Sequence, residues 1–181
     1  MSAYQLPEEF ETQNYYLRRP SLADAAAIFT AYATDAAVTK FLAWRPHRDV
    51  SETAAYLDAT AADWDQKKRY AVLAFHQSCP EAPLGMFDAR PTGFEVSYGY
   101  VLRSSAWGHG CATEIMQWMV DHALSQPAIF RTEALCDVGN PASARVLEKV
   151  GMSREGLLRR YLVHPNISDE PRDCLIYSRV R

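Results

Sequence analysis

Residues 98–114 read YGYVLRSSAWGHGCATE. The stretch begins inside a strand candidate, Phe94–Leu102, which follows the hairpin-type turn signal Thr92-Gly93. It ends by opening the longest helical pattern in the chain. Over Gly110–Gln126, the residues Ala112, Ile115, Met116, Met119, Val120, Ala123 and Leu124 form one apolar stripe, and Pro127 stops it. Ile129–Cys136 then reads as a second strand. Strand, helix and strand in this order make a βαβ unit, so 94–102 and 129–136 are expected to lie parallel, joined by a right-handed crossover.

The flanking segments add hairpins to this unit. Tyr15–Arg19 is a short strand candidate stopped by Pro20. Ser21, with Asp24 three residues on, marks a helix start, and Leu22, Ala25, Ala26, Phe29, Tyr32 and Ala33 recur at helical spacing. Phe41–Asp49 reads as a loop, because Pro46 forces Arg45 away from helix. Ser51 is expected to cap a second helix carrying Ala54, Leu57, Ala61 and Trp64 on one face. Tyr70–His76 and Leu84–Ala89 are strand candidates. Downstream, Asn140 caps a short helix with Pro141 at its first position, 142–150 as its body and Gly151 as its stop. Leu157–Val163 and Asp173–Val180 complete the pattern. The expected fold is α/β: a mixed, mostly antiparallel sheet with one parallel pair and helices on both faces. It forms one domain over 15–181, after a polar arm at 1–14.

Bulk properties exclude several classes. The 181 residues suit one domain with a sizeable core, and 48% hydrophobic with 23% charged residues is ordinary globular composition. The sequence contains no apolar run of membrane-spanning length and opens without a signal-like segment. The net charge of -3 and the lack of a basic cluster argue against nucleic acid as a partner. The four cysteines are scattered with no CxxC pair, which points to reduced thiols and a cytoplasmic location. The five histidines show no metal spacing, so no metal site is expected.

Two features carry chemistry. Gly108 and Gly110 immediately precede a helix, whose first N–H groups are unpaired and lie at the positive end of its dipole. The pair either serves a tight turn or opens the backbone to a phosphate. Ser143 lies one turn before Val146, Leu147 and Val150, on their inward stripe. Its hydroxyl therefore either bonds back to a carbonyl of its own helix or enters a site.

Four segments together resemble the GCN5-related N-acetyltransferase (GNAT) superfamily, and within it the RimJ/RimL type of protein N-terminal acetyltransferase. They are Tyr98–Glu114, NPASARVLEKVGMSREGLLRR at 140–160, LRRPSLADAAAIF at 17–29, and the ending RDCLIYSRV. The superfamily's Gln/Arg-x-x-Gly-x-Gly/Ala motif falls on residues 107–112, with Trp107 in the first position.

The resemblance implies transfer of an acetyl group from acetyl-CoA to an amine in a ternary complex. Gly108, His109, Gly110, Cys111, Ala112 and Thr113 would seat the pyrophosphate through backbone N–H groups. Trp107 and His109 would line that seat, and Arg103, upstream of the motif, would contact a phosphate without being required by it. The parallel strands would splay, with pantetheine bound along Tyr100, Val101, Leu102 and Arg103 and one N–H polarising the acetyl carbonyl. Ser143 would stabilise the leaving thiolate, and Asn140 would hold pantetheine or the Ser143 region. Glu95, on a strand face with Ser97, Gly99 and Val101, is the candidate base, against a solvated strand-end glutamate. Trp44, Arg45 and Tyr161 are the candidate acceptor contacts, with His47 and His164 as lesser ones. The expected acceptor is the α-amine of a protein or peptide. A small amine (aminoglycoside, polyamine or amino acid) and a non-catalytic acyl-CoA-binding module are the alternatives. The RimJ/RimL type also implies pairing as a homodimer.

Overall fold

The computed structural model describes residues 4–181. Eight runs of extended chain form one sheet: β1 (Glu9–Glu11), β2 (Tyr15–Arg18), β3 (Tyr70–His76), β4 (Cys79–Thr92), β5 (Glu95–Leu102), β6 (Arg131–Asp137), β7 (Ser153–Leu162) and β8 (Arg172–Val180). Their spatial order is β1-β2-β3-β4-β5-β6-β8-β7. Every neighbouring pair is antiparallel except β5 and β6, which run parallel as the βαβ pattern requires.

Side chains alternate across this sheet and are buried on both faces. On one face, Val72, Ala74, Phe87, Val96, Tyr98, Ala134 and Tyr177 pack against α4 (Cys111–Ser125) and α5 (Pro141–Lys149). The α4 stripe is the one read from the sequence: Ala112, Ile115, Met116, Met119, Val120, Ala123 and Leu124 are all buried. On the other face, Ala71, Leu73, Phe75 and Met86 meet a helical run over 22–33, called α1, the short α2 (Ala36–Thr39) and α3 (Val50–Asp65).

Three local expectations change. The stretch 1–14 was expected as a polar arm; within it β1 pairs with β2, and Tyr4, Leu6 and Phe10 are buried. Phe10 stacks on Trp118 with centroids 3.7 Å apart, so three spaced apolar residues suffice to dock a polar segment. Residues 1–3 lie outside the described residues. The α1 run passes from 3₁₀ to α to π geometry, which turns Leu22 and Ala26 outward and buries Ala25, Ile28, Tyr32 and Ala33. Asp49, not Ser51, caps α3: its Oδ1 accepts the Ser51 N–H at 2.8 Å, and the buried stripe becomes Thr53, Leu57, Thr60 and Trp64.

One feature of the sheet positions everything that follows. The β5–β6 pairing runs from Glu95/Arg131 to Tyr98/Ala134 and stops there. Beyond that point β5 stays paired to β4 as far as Leu102/Gly85, and β6 stays paired to β8 as far as Asp137/Cys174. Each strand is thus held on its outer edge while the inner edges separate. The facing backbone of Gly99–Leu102 and Leu135–Asp137 is left without a ladder partner across the gap, and such groups call for one.

Candidate active site

The mouth of this gap leads into the Trp107–Thr113 turn. Gly108 and Gly110 have φ of +79° and +82°, a left-handed conformation that side chains disfavour. The turn reading is therefore sound. A Cβ built on either glycine meets no atom within 4 Å, so the surface above both is also open. Gly110 caps α4 without a side-chain hydrogen bond, and the first intrahelical bond is Glu114 N–H to the Gly110 carbonyl at 3.0 Å. The N–H groups of Cys111, Ala112 and Thr113 thus begin the helix with no intrahelical acceptor.

Arg103 adds charge to this seat. Its Nε is buried with no hydrogen-bond partner. Burial pushes the Cys111 thiol up to about 12, against the opposing pull of a hydrogen bond with Tyr15 and of the Arg103 charge. An open glycine turn, a helix N-terminus and an orphaned buried cationic donor fit the diphosphate of coenzyme A. Trp107 stands half exposed beside them, with its indole Nε1 donating to the Leu102 carbonyl at 2.9 Å, and His109 is exposed. Glu114 would oppose an anion here, but Thr12 and Asn14 bind its carboxylate at 2.6–2.8 Å and hold it toward β2.

The second part of the site is the start of α5. Asn140 Oδ1 accepts the Ser143 N–H at 3.2 Å, so the side chain expected to hold the Ser143 region does so as a helix cap. The Ser143 hydroxyl does not turn back to its own helix; its Oγ lies 2.8 Å from the Tyr100 Oη. Tyr100 belongs to the part of β5 that has left β6, and its ring stacks on Phe87 at 5.7 Å. Burial pushes the phenol up to about 12, despite the opposing pull of the Ser143 hydrogen bond.

The loop leading into α5 is anchored by a pair the sequence did not reveal. Asp137 is fully buried and accepts from Arg172 Nε at 2.7 Å, Arg172 Nη2 at 3.0 Å and the Gly139 N–H at 2.7 Å. His164, also buried, places Nε2 3.6 Å from Asp137 Oδ2. A neighbouring bond ties two loops: Asn166 Nδ2 lies 2.7 Å from the carbonyls of both Thr39 and Trp44. Arg45 reaches Asp169 at 3.1 Å between exposed side chains. Trp44 and Arg45 are thus brought to the β7–β8 loop. Tyr161 stands exposed on β7, and the ring of His47 bonds Thr53 at 2.8 Å.

Glu95 is not brought to this cluster. It is the first residue of β5, three residues before the last paired position, so roughly 10 Å down the strand from the gap. Its carboxylate lies 3.7 Å from Arg131, which also binds Glu133 and Glu155. The strand face was read correctly from the sequence; the arginine arrives through the parallel register, which spacing does not encode. Cys111 and Cys136 are buried, and burial pushes their thiols up to about 12 and about 11, so neither is an activated nucleophile.

A sheet that splays beside a glycine-capped helix can take an extended chain between its strands and an anion at the helix start. The family model "Acetyltransferase (GNAT) domain" matches residues 14–153, and the chain belongs to that family. It is an acetyl-CoA-dependent N-acetyltransferase. Over 173 residues it is 25% identical to an uncharacterized N-acetyltransferase, YoaA, of Bacillus subtilis (strain 168), covering 94% of this chain and 96% of that one. In fold it is similar to the microcin self-immunity acetyltransferase MccE, solved with acetyl-CoA and AMP. That match has a TM-score of 0.86 at 19% identity and covers 97% and 98% of the two chains. It is also similar in fold to RimL, a ribosomal alpha-N-protein acetyltransferase solved with coenzyme A. There the TM-score is 0.82 at 20% identity, with 96% and 98% covered.

Proposed function

We propose that the chain acetylates the α-amine of a protein or peptide. The observation that carries this reading is the state of the carboxylates. The face of β4, β5 and β6 away from α4 and α5 carries Asp88, Glu95, Glu133 and Asp137, given the two-residue period of a strand. Each is held by an arginine, at 2.8 Å by Arg69, 3.7 Å and 3.1 Å by Arg131, and 2.7 Å by Arg172. A carboxylate turned to a neighbouring guanidinium is not presented to an incoming amine. Such a site favours an amine that sheds its own proton. With pKa values of about 7.7–8.0 for an α-amine and about 10.4 for lysine, roughly a quarter of the former and about one in a thousand of the latter is free near neutral pH. The likeness to RimL in fold supports the same acceptor class.

The residues then divide the work. Backbone N–H groups of 108–113 and the Arg103 guanidinium bind the diphosphate. The backbone of Gly99–Leu102 and Leu135–Asp137, which has no ladder partner across the gap, takes pantetheine as a strand between strands. There an N–H of Tyr100–Leu102 polarises the thioester carbonyl, since the Arg103 N–H is taken by the Leu84 carbonyl. Acetyl-CoA, when bound, supplies the activated acyl group. Ser143 offers its hydroxyl to the departing sulfur, and the loop of Trp44 and Arg45 against the β7–β8 loop walls the acceptor. Water takes the proton of the amine. Holding both reactants in this geometry supplies roughly 7–11 kcal/mol of the barrier.

The test is a peptide with a free α-amine and an internal lysine, treated with enzyme and acetyl-CoA, with the acetyl group located by mass spectrometry. Modification of the α-amine in preference to the lysine by on the order of a hundredfold is expected from the free-base fractions. Preferential acetylation of lysine, or of an aminoglycoside over the peptide, overturns the reading.

A further inference from the structure

The Tyr100–Ser143 contact links the strand and the helix that flank the gap. It joins β5 to α5 across the part of the sheet where β5 has lost its partner strand. Both groups are hydroxyls, so either one can be the donor. A phenol is a stronger acid than an aliphatic alcohol, which favours Tyr100 as the donor. The Ser143 N–H is already committed to Asn140 Oδ1, which fixes the serine backbone. The Tyr100 ring is clamped on Phe87, with planes 23° apart, which fixes the phenol. With both frames fixed, only the two hydroxyl protons can rotate. If the phenol donates to Ser143 Oγ, the serine proton is released from the pair and turns toward whatever occupies the gap. The reverse arrangement spends the serine proton on the phenol.

We propose that Tyr100 is a positioning residue for Ser143: the phenol donates to the serine oxygen, and the serine proton is thereby aimed at the sulfur that leaves. This rests on the functional reading above. In the reaction, a C–N bond forms between the acceptor nitrogen and the acetyl carbon while the C–S bond breaks. The electron pair goes to sulfur, and the amine proton goes to water. The pair stabilises the thiolate by a hydrogen bond and does not protonate it. Burial pushes the phenol up to about 12. A thiol lies near 8.5, so full transfer from tyrosine would be uphill by about 3.5 units, a factor of roughly three thousand. The thiolate takes its proton from solvent afterwards. Tyr100 thus supplies what a lone serine lacks, an orientation and a polarised O–H bond.

The experiment reads the sulfur directly. CoA labelled with ¹³C at the carbon next to sulfur is bound to the enzyme, and its chemical shift is followed against pH to give the pKa of the bound thiol. In the wild type this pKa is expected below that of free CoA by about one unit, the lower end for a hydrogen bond to a charged group. Tyr100→Phe and Ser143→Ala should each return it toward the free value, and the double variant should do no more than Ser143→Ala alone, since both remove one unit of function. Turnover should follow: kcat falls about tenfold in Tyr100→Phe while the KM for acetyl-CoA stays within twofold. A melting curve of each variant checks that the fold is intact. If CoA binds and the Tyr100→Phe complex titrates as the wild type does, the positioning role is wrong and the functional reading stands. If CoA does not bind the wild-type protein at all, the functional reading fails and the pair loses its role with it.

Discussion

Replacing Gly110 by alanine separates the two demands placed on that residue. Its φ of +82° costs an L side chain about 1–2 kcal/mol. The added methyl meets nothing within 4 Å, so the free protein carries the backbone penalty and no clash. For a chain of this size each kcal/mol lowers Tm by about 2–4 °C, so a drop of roughly 2–8 °C is expected. Gly93 is the matched control: φ is +60°, a Cβ there also meets nothing within 4 Å, and it sits in the turn between β4 and β5. Gly93→Ala should cost about the same in Tm. The two differ in ligand binding. At Gly110 the methyl stands where a diphosphate approaches the first N–H groups of α4, so acetyl-CoA affinity should fall by more than about tenfold, equivalent to losing one charge-assisted hydrogen bond. At Gly93 it should not change. Titration calorimetry with acetyl-CoA on both variants decides the matter. If Gly110→Ala melts lower and binds acetyl-CoA like the wild type, the glycine serves turn geometry alone, and the phosphate seat is wrong.

Ser143→Ala should lower kcat by about 10- to 100-fold with little change in acetyl-CoA affinity, because its proposed hydrogen bond is to the leaving sulfur; steady-state kinetics in both substrates checks this. Glu95→Gln should leave the shape of the pH–rate profile unchanged, since its carboxylate is paired with Arg131 away from the gap; a shifted acidic limb contradicts that placement. Asp137→Asn should destabilise by about 3 kcal/mol at pH 7, the low end for breaking a buried pair, as Arg172 keeps some contact with water. Burial opposes ionisation of Asp137, but Arg172, the Gly139 N–H and His164 outweigh it and hold the carboxyl below its usual value. A depressed carboxyl contributes stability above its unfolded pKa of about 3.9 and loses it as pH falls through the folded value. The variant's melting temperature should therefore vary less than the wild type's below about pH 4.

What the sequence disclosed and what it withheld follow the range of the interactions. Both ends of α5 were legible because Asn140, Pro141 and Gly151 act on backbone within a few residues of themselves. The βαβ unit was legible because the stripe from Ala112 to Leu124 and the strands around it are local periodicities. Asp49 and Ser51 are both good caps two residues apart, and local propensity does not choose between them. β1 escaped notice because three residues hold its place by pairing with β2 and by the stacking of Phe10 on Trp118. In the site, the glycine turn and Ser143 could be read, whereas their partners could not. Tyr100 lies 43 residues from Ser143, and Asp137 lies 35 from Arg172. Glu95 shows the converse. A carboxylate on the expected face of the expected strand looked like a base until the register delivered Arg131.

Acetyl-CoA is proposed to lie in the gap between β5 and β6 and against the turn beside it. Amide NMR of the ¹⁵N-labelled protein, titrated with acetyl-CoA, tests this most directly. The largest changes should fall on Gly99–Arg103, Gly108–Thr113 and Leu135–Asp137, with the Ser143 amide following. Changes confined to other surfaces, or an unperturbed spectrum at millimolar acetyl-CoA, would contradict the account.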